Sequence, residues 1–154
     1  MSGYLVVDVD GTLTHHPAIP TTTLIREALG GNYRAMVHLS SALMGWVDDD
    51  GHLKRLPRNE VGSVLLMALG AGQMPYAGPV VITGWHPDTE ITELDATYEQ
   101  VVRALHKRVC AALAGGRDDD GFADAVREAV EAIREAPRPE ITVVALGPAG
   151  GEGR

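Results

Sequence analysis

Apolar and polar positions along the chain mark out most of its elements before any other property is considered. Tyr4 to Val9 is an apolar, β-branched run that stops at Asp10-Gly11, which predicts a first strand ending in a turn. Pro17 and Pro20 then interrupt regular structure, and Thr21, Thr22 or Thr23 can cap a short helix with apolar positions Leu24, Ile25, Ala28 and Leu29. Gly30-Gly31 closes that helix. Tyr33, Ala35, Val37 and Leu39 alternate with Arg34, Met36 and His38, the period of a strand with one buried face. Leu43 to Val47 predicts another strand, and Asp48-Asp49-Asp50-Gly51 a hairpin turn into His52-Leu53-Lys54. Val61 to Leu69 predicts one or two helical turns, and Val80-Val81-Ile82-Thr83 a buried strand suited to the middle of a sheet.

The second half is helical in pattern. Leu94, Tyr98, Val101, Val102, Leu105 and Val109 recur at helical spacing, with Thr92 and Asp95 placed as a capping box and Gly115-Gly116 as the stop. A second amphipathic helix carries Phe122, Val126, Ala129, Val130 and Ile133, after the aspartates at 118–120 and before Pro137 and Pro139. Ile141 to Leu146 predicts a late strand, and 147–154 a flexible Gly-rich tail. The expected fold is therefore α+β: a small mixed or antiparallel sheet with an N-terminal helix and two C-terminal amphipathic helices. Its size suits a single domain over 1–146, comprising a core at 4–84, a helical extension at 91–136 and the strand at 141–146.

Charge and composition narrow the function classes. With 13 Lys plus Arg against 21 Asp plus Glu the formal net charge is -8, and no basic stripe is present, so direct nucleic-acid binding is not expected. Apolar runs are far shorter than a membrane span, and the N-terminus has no basic segment followed by an apolar signal core, so a cytoplasmic location without membrane association is expected. Cys110 is the single cysteine, which excludes an internal disulfide.

Two resemblances bear on function. LVVDVDGTL, Leu5 to Leu13, resembles the first motif of the haloacid dehalogenase superfamily. That resemblance implies Asp8 as phosphoryl-accepting nucleophile, Asp10 as general acid and base, Thr83 as holder of the phosphoryl oxygens, Lys107 as charge neutraliser, and a Mg²⁺ cofactor beside Asp8 and Asp10. The acidic residues needed to complete the metal site after a later strand are missing: Asp118, Asp119, Asp120 and Asp124 follow a helix end. The second resemblance covers more of the chain. Gly30-Gly31 before a strand, Asp49-Asp50-Gly51, then Leu53-Lys54-Arg55-Leu56-Pro57-Arg58-Asn59, and finally Gly78 to Gly84 are similar in order to the uncharacterised family catalogued as domain of unknown function 3846, found in bacteria, phages and plasmids. It implies a compact α+β domain and no particular reaction.

Remaining candidates are local. Lys54, Arg55 and Arg58 with Asn59 offer charge and hydrogen bonds that suit a carboxylate or phosphate, or else simply shape a corner. Trp46 and Trp85 lie in strands and could flank a planar ligand. His15-His16, being adjacent, point apart and make a poor metal pair. The resulting expectation is a non-catalytic binding or interaction protein without a cofactor. Its partner would be a protein or a small anionic ligand, its setting a mobile element or phage accessory role such as counter-defence or sequestration, and homodimerisation through the C-terminal helices is plausible. The alternative is a Mg²⁺-dependent phosphatase acting on a small phosphorylated substrate.

Overall fold

Leu5 and Val7 point to one side of the first strand and Tyr4 and Val6 to the other, and all four are buried, so the sheet they start must be covered on both faces. The computed structural model describes residues 3–30, 34–39, 42–49, 54–72 and 75–114. Its elements run β1 (Tyr4–Val7), β2 (Leu13–His16), α1 (Thr22–Leu29), β3 (Arg34–His38), β4 (Leu43–Asp48), α2 (Glu60–Ala68), β5 (Val80–His86), β6 (Glu90–Thr92) and α3 (Ala96–Leu113). The Asp-Gly hairpin tip at 50–53, the second C-terminal helix, the late strand at 141–146 and the tail lie outside the described residues.

The fold is α+β, built on a six-stranded sheet in the order β2-β1-β5-β4-β3 with β6 also on β5, and its strand pairings are antiparallel. One part of the expectation changes. The first helix is not N-terminal, because the residues after Asp10-Gly11 fold back as β2 against β1, with Val7 opposite Leu13 and Tyr4 opposite His16. Two features make that turn tight: Gly11 takes a φ of 90° and the Asp10 carboxylate accepts from the Thr12 N–H at 2.9 Å. β6 was also missed, being a three-residue strand reached through Glu90 at a φ of 64°.

β5 is the spine of the sheet. One side pairs with β4 from Trp46↔Val81 to Leu43↔Gly84, while the other is shared, β1 taking Val80 to Ile82 and β6 taking Gly84 to His86. Where β1 gives way to β6 the chains crowd: the Leu94 N–H donates to the Gly3 carbonyl, and a Cβ on Gly84 would sit 2.4 Å from the Glu93 carbonyl oxygen.

Helices cover the two faces unequally. α2 and α3 pack on the face of Leu5, Val7, Leu43, Val47, Val80 and Ile82, bringing Val64, Leu65, Leu66, Val102, Leu105 and Val109 into the larger core. Gly45 lets α2 approach, since a Cβ there would meet Leu66 Cδ2 at 2.9 Å. Among the described residues α1 is the helix on the other face, where Ile25 and Leu29 meet Tyr4, Val6, Met44, Trp46 and Val81. Thr21 caps α1 by accepting from the Leu24 N–H, and Gly30 ends it at a φ of 91°. In α3 the expected capping box is not formed: Thr92 ends β6, and the cap is Asp95, which accepts from the Thr97 N–H, with Leu94 before it as a buried anchor. Among the described residues no helix is long and apolar enough to cross a membrane.

Candidate functional site

The Asp8 to Thr12 turn is held by its own backbone. Gly11 N–H donates to the Asp8 carbonyl at 2.8 Å, Asp8 N–H to the Thr12 carbonyl at 2.9 Å, and the carboxylates of Asp8 and Asp10 are exposed. The Thr12 backbone N–H holds the Asp10 carboxyl below the usual carboxylate range. From α3, His106 Nε2 lies 2.8 Å from the Gly11 carbonyl oxygen; a carbonyl can only accept, so this nitrogen carries the proton. Cys110 Sγ lies 3.5 Å from the same nitrogen, and burial raises its thiol pKa, the opposite of what a reactive cysteine needs.

Antiparallel pairing decides what stands beside these aspartates. With Val7 opposite Val80, the chain leaves β1 at the start of β5, whereas Thr83 lies three residues further along β5, about 10 Å away at 3.3 Å per residue. In a parallel sheet the two strand ends would share an edge; here they do not. Thr83 is buried, accepts from Trp46 Nε1 at 3.0 Å and donates to the Gly84 carbonyl at 2.9 Å. Lys107 is exposed on α3. No group of three or more His, Cys, Asp or Glu side chains that could hold a metal occurs among the described residues. His16 stacks on Tyr4 with centroids 5.1 Å apart, while His15 Nε2 lies 3.9 Å from Glu99 Oε1, so the adjacent histidines do point apart.

The basic corner is spread over several structural tasks. Lys54 Nζ binds the buried Asp48 carboxylate at 2.6 Å. Arg55 takes a φ of 58°, and Arg58 is exposed and bridges to Ala77 through its backbone. Asn59 is fully buried: its Nδ2 donates to the carbonyls of Val7 and Gly78, each at 2.9 Å, while its Oδ1 caps α2 by accepting from the Gly62 N–H at 2.8 Å. It therefore ties the end of β1, the approach to β5 and the start of α2 together, with every polar atom of its amide engaged inside the chain.

A half-open cleft lies beside the start of α1 on its face of the sheet. It encloses about 370 Å³ and is lined by Thr22, Met36, Trp46, Trp85, Glu90 and Ile91. β4 and β5 present the two indoles with centroids 6.3 Å apart and planes inclined at 53°. The Thr83 hydroxyl fixes Trp46, which is only 2% exposed and serves as floor, whereas Met36 on the edge strand β3 is 48% exposed. Of the six lining residues the sequence pointed to the two tryptophans. Met36 carried an available signal, an apolar side chain on the polar side of an alternating strand; Glu90 and Ile91 were hidden with β6.

A family model described as Domain of unknown function (DUF3846) matches residues 1–106 of the chain. No curated protein and no solved structure matches it.

Proposed function

The chain belongs to the DUF3846 family, and from that footing we propose that it is a binding domain, which holds a ligand in the cleft of Trp46 and Trp85 without transforming it. The single observation that carries the reading is the cleft itself: a half-open hollow of mixed polar and apolar lining, with the buried Trp46 fixed beneath it by the Thr83 hydroxyl. The phosphatase alternative draws little support from the geometry. Asp8 and Thr83 stand at different ends of a strand pair, and an Asp10 carboxyl held below its ordinary range is ionised near neutral pH and so a poor proton donor. Retention of a ligand suits a sequestering role, which the phage and plasmid setting of the family would employ in counter-defence.

The test pairs two measurements on the full chain: phosphate release from a panel of phosphomonoesters with Mg²⁺, and a small-fragment screen read from the two tryptophan indole N–H signals. Fragments that shift these signals without any turnover are the expected result. Mg²⁺-dependent phosphate release that disappears in Asp8→Asn would overturn the reading in favour of the phosphatase.

A further inference from the structure

Away from the cleft floor, we infer that the outer edge of β3 is closed by the chain's own C-terminal segment Ile141 to Leu146, which lies outside the described residues and pairs with β3 as an antiparallel strand. Two sets of observations carry this, one on the edge and one on the segment. β3 has β4 on one side and, among the described residues, no strand on the other. An open edge invites association unless it is short, bent, charged or covered. Here the core-facing side chains Ala35, Val37 and Leu39 pack against the larger core yet stay half-buried, whereas Leu43 and Val47 on the neighbouring β4 are buried. On the opposite face Met36 is 48% exposed. The edge is therefore short of apolar cover on both of its faces.

ITVVAL supplies that cover. As a strand it places Ile141, Val143 and Ala145 on one side and Thr142, Val144 and Leu146 on the other, apolar on both, as a strand within a doubly covered sheet must be. With Val37 opposite Val143, Leu39 meets Ile141 and Ala35 meets Ala145 on the core face, while Met36 meets Val144 and His38 meets Thr142 on the other. The competing edges fit worse. β2 is LTHH, with Thr14 and His16 on one face and His15 set beside Glu99 of α3 on the other, and β6 is the short EIT. Strand direction follows from where α3 ends. α3 is entered at Leu94, whose N–H donates to the Gly3 carbonyl, passes the Gly11 carbonyl at His106 and runs on to Leu113. It thus finishes at the end of the sheet where Val7 faces Val80 and Arg34 faces Asp48. The amphipathic stretch 122–133 spans about 18 Å as a helix at 1.5 Å per residue, and Arg34 to Leu39 about 20 Å at 3.3 Å per residue. Such a helix returns the chain to the Leu39 end, from which Ile141 to Leu146 runs back against β3. The family match stops at residue 106, so this cover comes from the part of the chain beyond it.

NMR of the full chain tests the pairing directly. The expected result is a set of cross-strand nuclear Overhauser contacts that join Ala35, Val37 and Leu39 to Ala145, Val143 and Ile141 within one molecule. Hydrogen exchange gives a second measure. Val143→Asp, which sets a charge against the core face, should abolish those contacts and speed exchange of the β3 amides that point away from β4 at least about 10-fold, with the amides of β1 and β5 unchanged. Four outcomes each overturn the proposal: no contact between the two segments, contacts of Ile141 to Leu146 with β2 or β6 instead, contacts seen only between molecules in a mixture of labelled and unlabelled chains, or β3 exchange indifferent to Val143→Asp.

Discussion

Replacing Asn59 tests whether one buried amide locks the start of α2 onto the sheet between β1 and the approach to β5. Asn59→Ala removes the cap of α2, worth about 1 kcal/mol, and takes a donor from each of two buried carbonyls, Val7 and Gly78, at about 1 kcal/mol or more apiece. The expected loss is about 3–5 kcal/mol, a large part of the roughly 5–15 kcal/mol that stabilises an ordinary domain. Asn59→Asp is the sharper variant. As a cap alone, Asp equals Asn, so a pure capping role predicts almost no change. Here the second carboxylate oxygen would face two carbonyl oxygens in a site with no exposure, so Asp should be at least as damaging as Ala. Urea unfolding of both variants, followed by tryptophan fluorescence, measures this directly. An Asp variant within about 0.5 kcal/mol of the parent would refute the reasoning and reduce Asn59 to a helix cap.

Other outcomes follow from the same structure. Gly84→Ala should destabilise by well over about 1 kcal/mol in the same unfolding assay, because its Cβ would overlap the Glu93 carbonyl oxygen, and backbone cannot swing away as a side chain can. Thr83→Val should cost about 1–3 kcal/mol by leaving the buried Trp46 N–H without its acceptor, and should move that indole's N–H signal more than the Trp85 one. The Asp10 carboxyl, titrated by NMR, should show a midpoint below the ordinary value of about 3.9. Its folded pKa is the lower one, so the stability it contributes is present above the unfolded value and is lost as the pH falls through the folded value. His106→Ala should leave the overall fold intact while raising amide exchange in the turn at Gly11, whose carbonyl loses its donor.

Much of the fold was legible because buried strands and amphipathic helices write themselves as apolar runs and periodic stripes. β1, β4 and β5, the cap at Thr21 and the stop at Gly30 all follow from local chemistry, whereas α3 is capped by Asp95 itself and not by Thr92 with Asp95 as its box partner. β2 and β6 did not, since LTHH and EIT are short edge segments whose strand character comes from the partner they pair with. The site was legible only in part for a related reason. LVVDVDGTL looks catalytic as a string, but which residue faces Asp8 depends on strand direction, and nothing in Val80 to Thr83 states whether β5 runs with β1 or against it. Asn59 looked like a ligand contact because a polar residue in a basic corner gives no sign of being buried. The tryptophans were noticed singly, yet their inclination depends on Thr83 and on pairing between β4 and β5.

The shared flank of β5 also sets the order in which the molecule can be made. β1 and β4 are synthesised early, but each leaves a row of backbone groups waiting for a strand that arrives much later in the chain. Contacts so distant in sequence are slow to form, because the intervening chain must be ordered first. A nascent polypeptide that has not yet released Val80 to His86 therefore exposes two apolar, unpaired strand edges, the condition under which chains associate with one another. Until β5 inserts, the floor and one wall of the cleft cannot meet, so any capacity to hold a ligand appears in a single late step of folding.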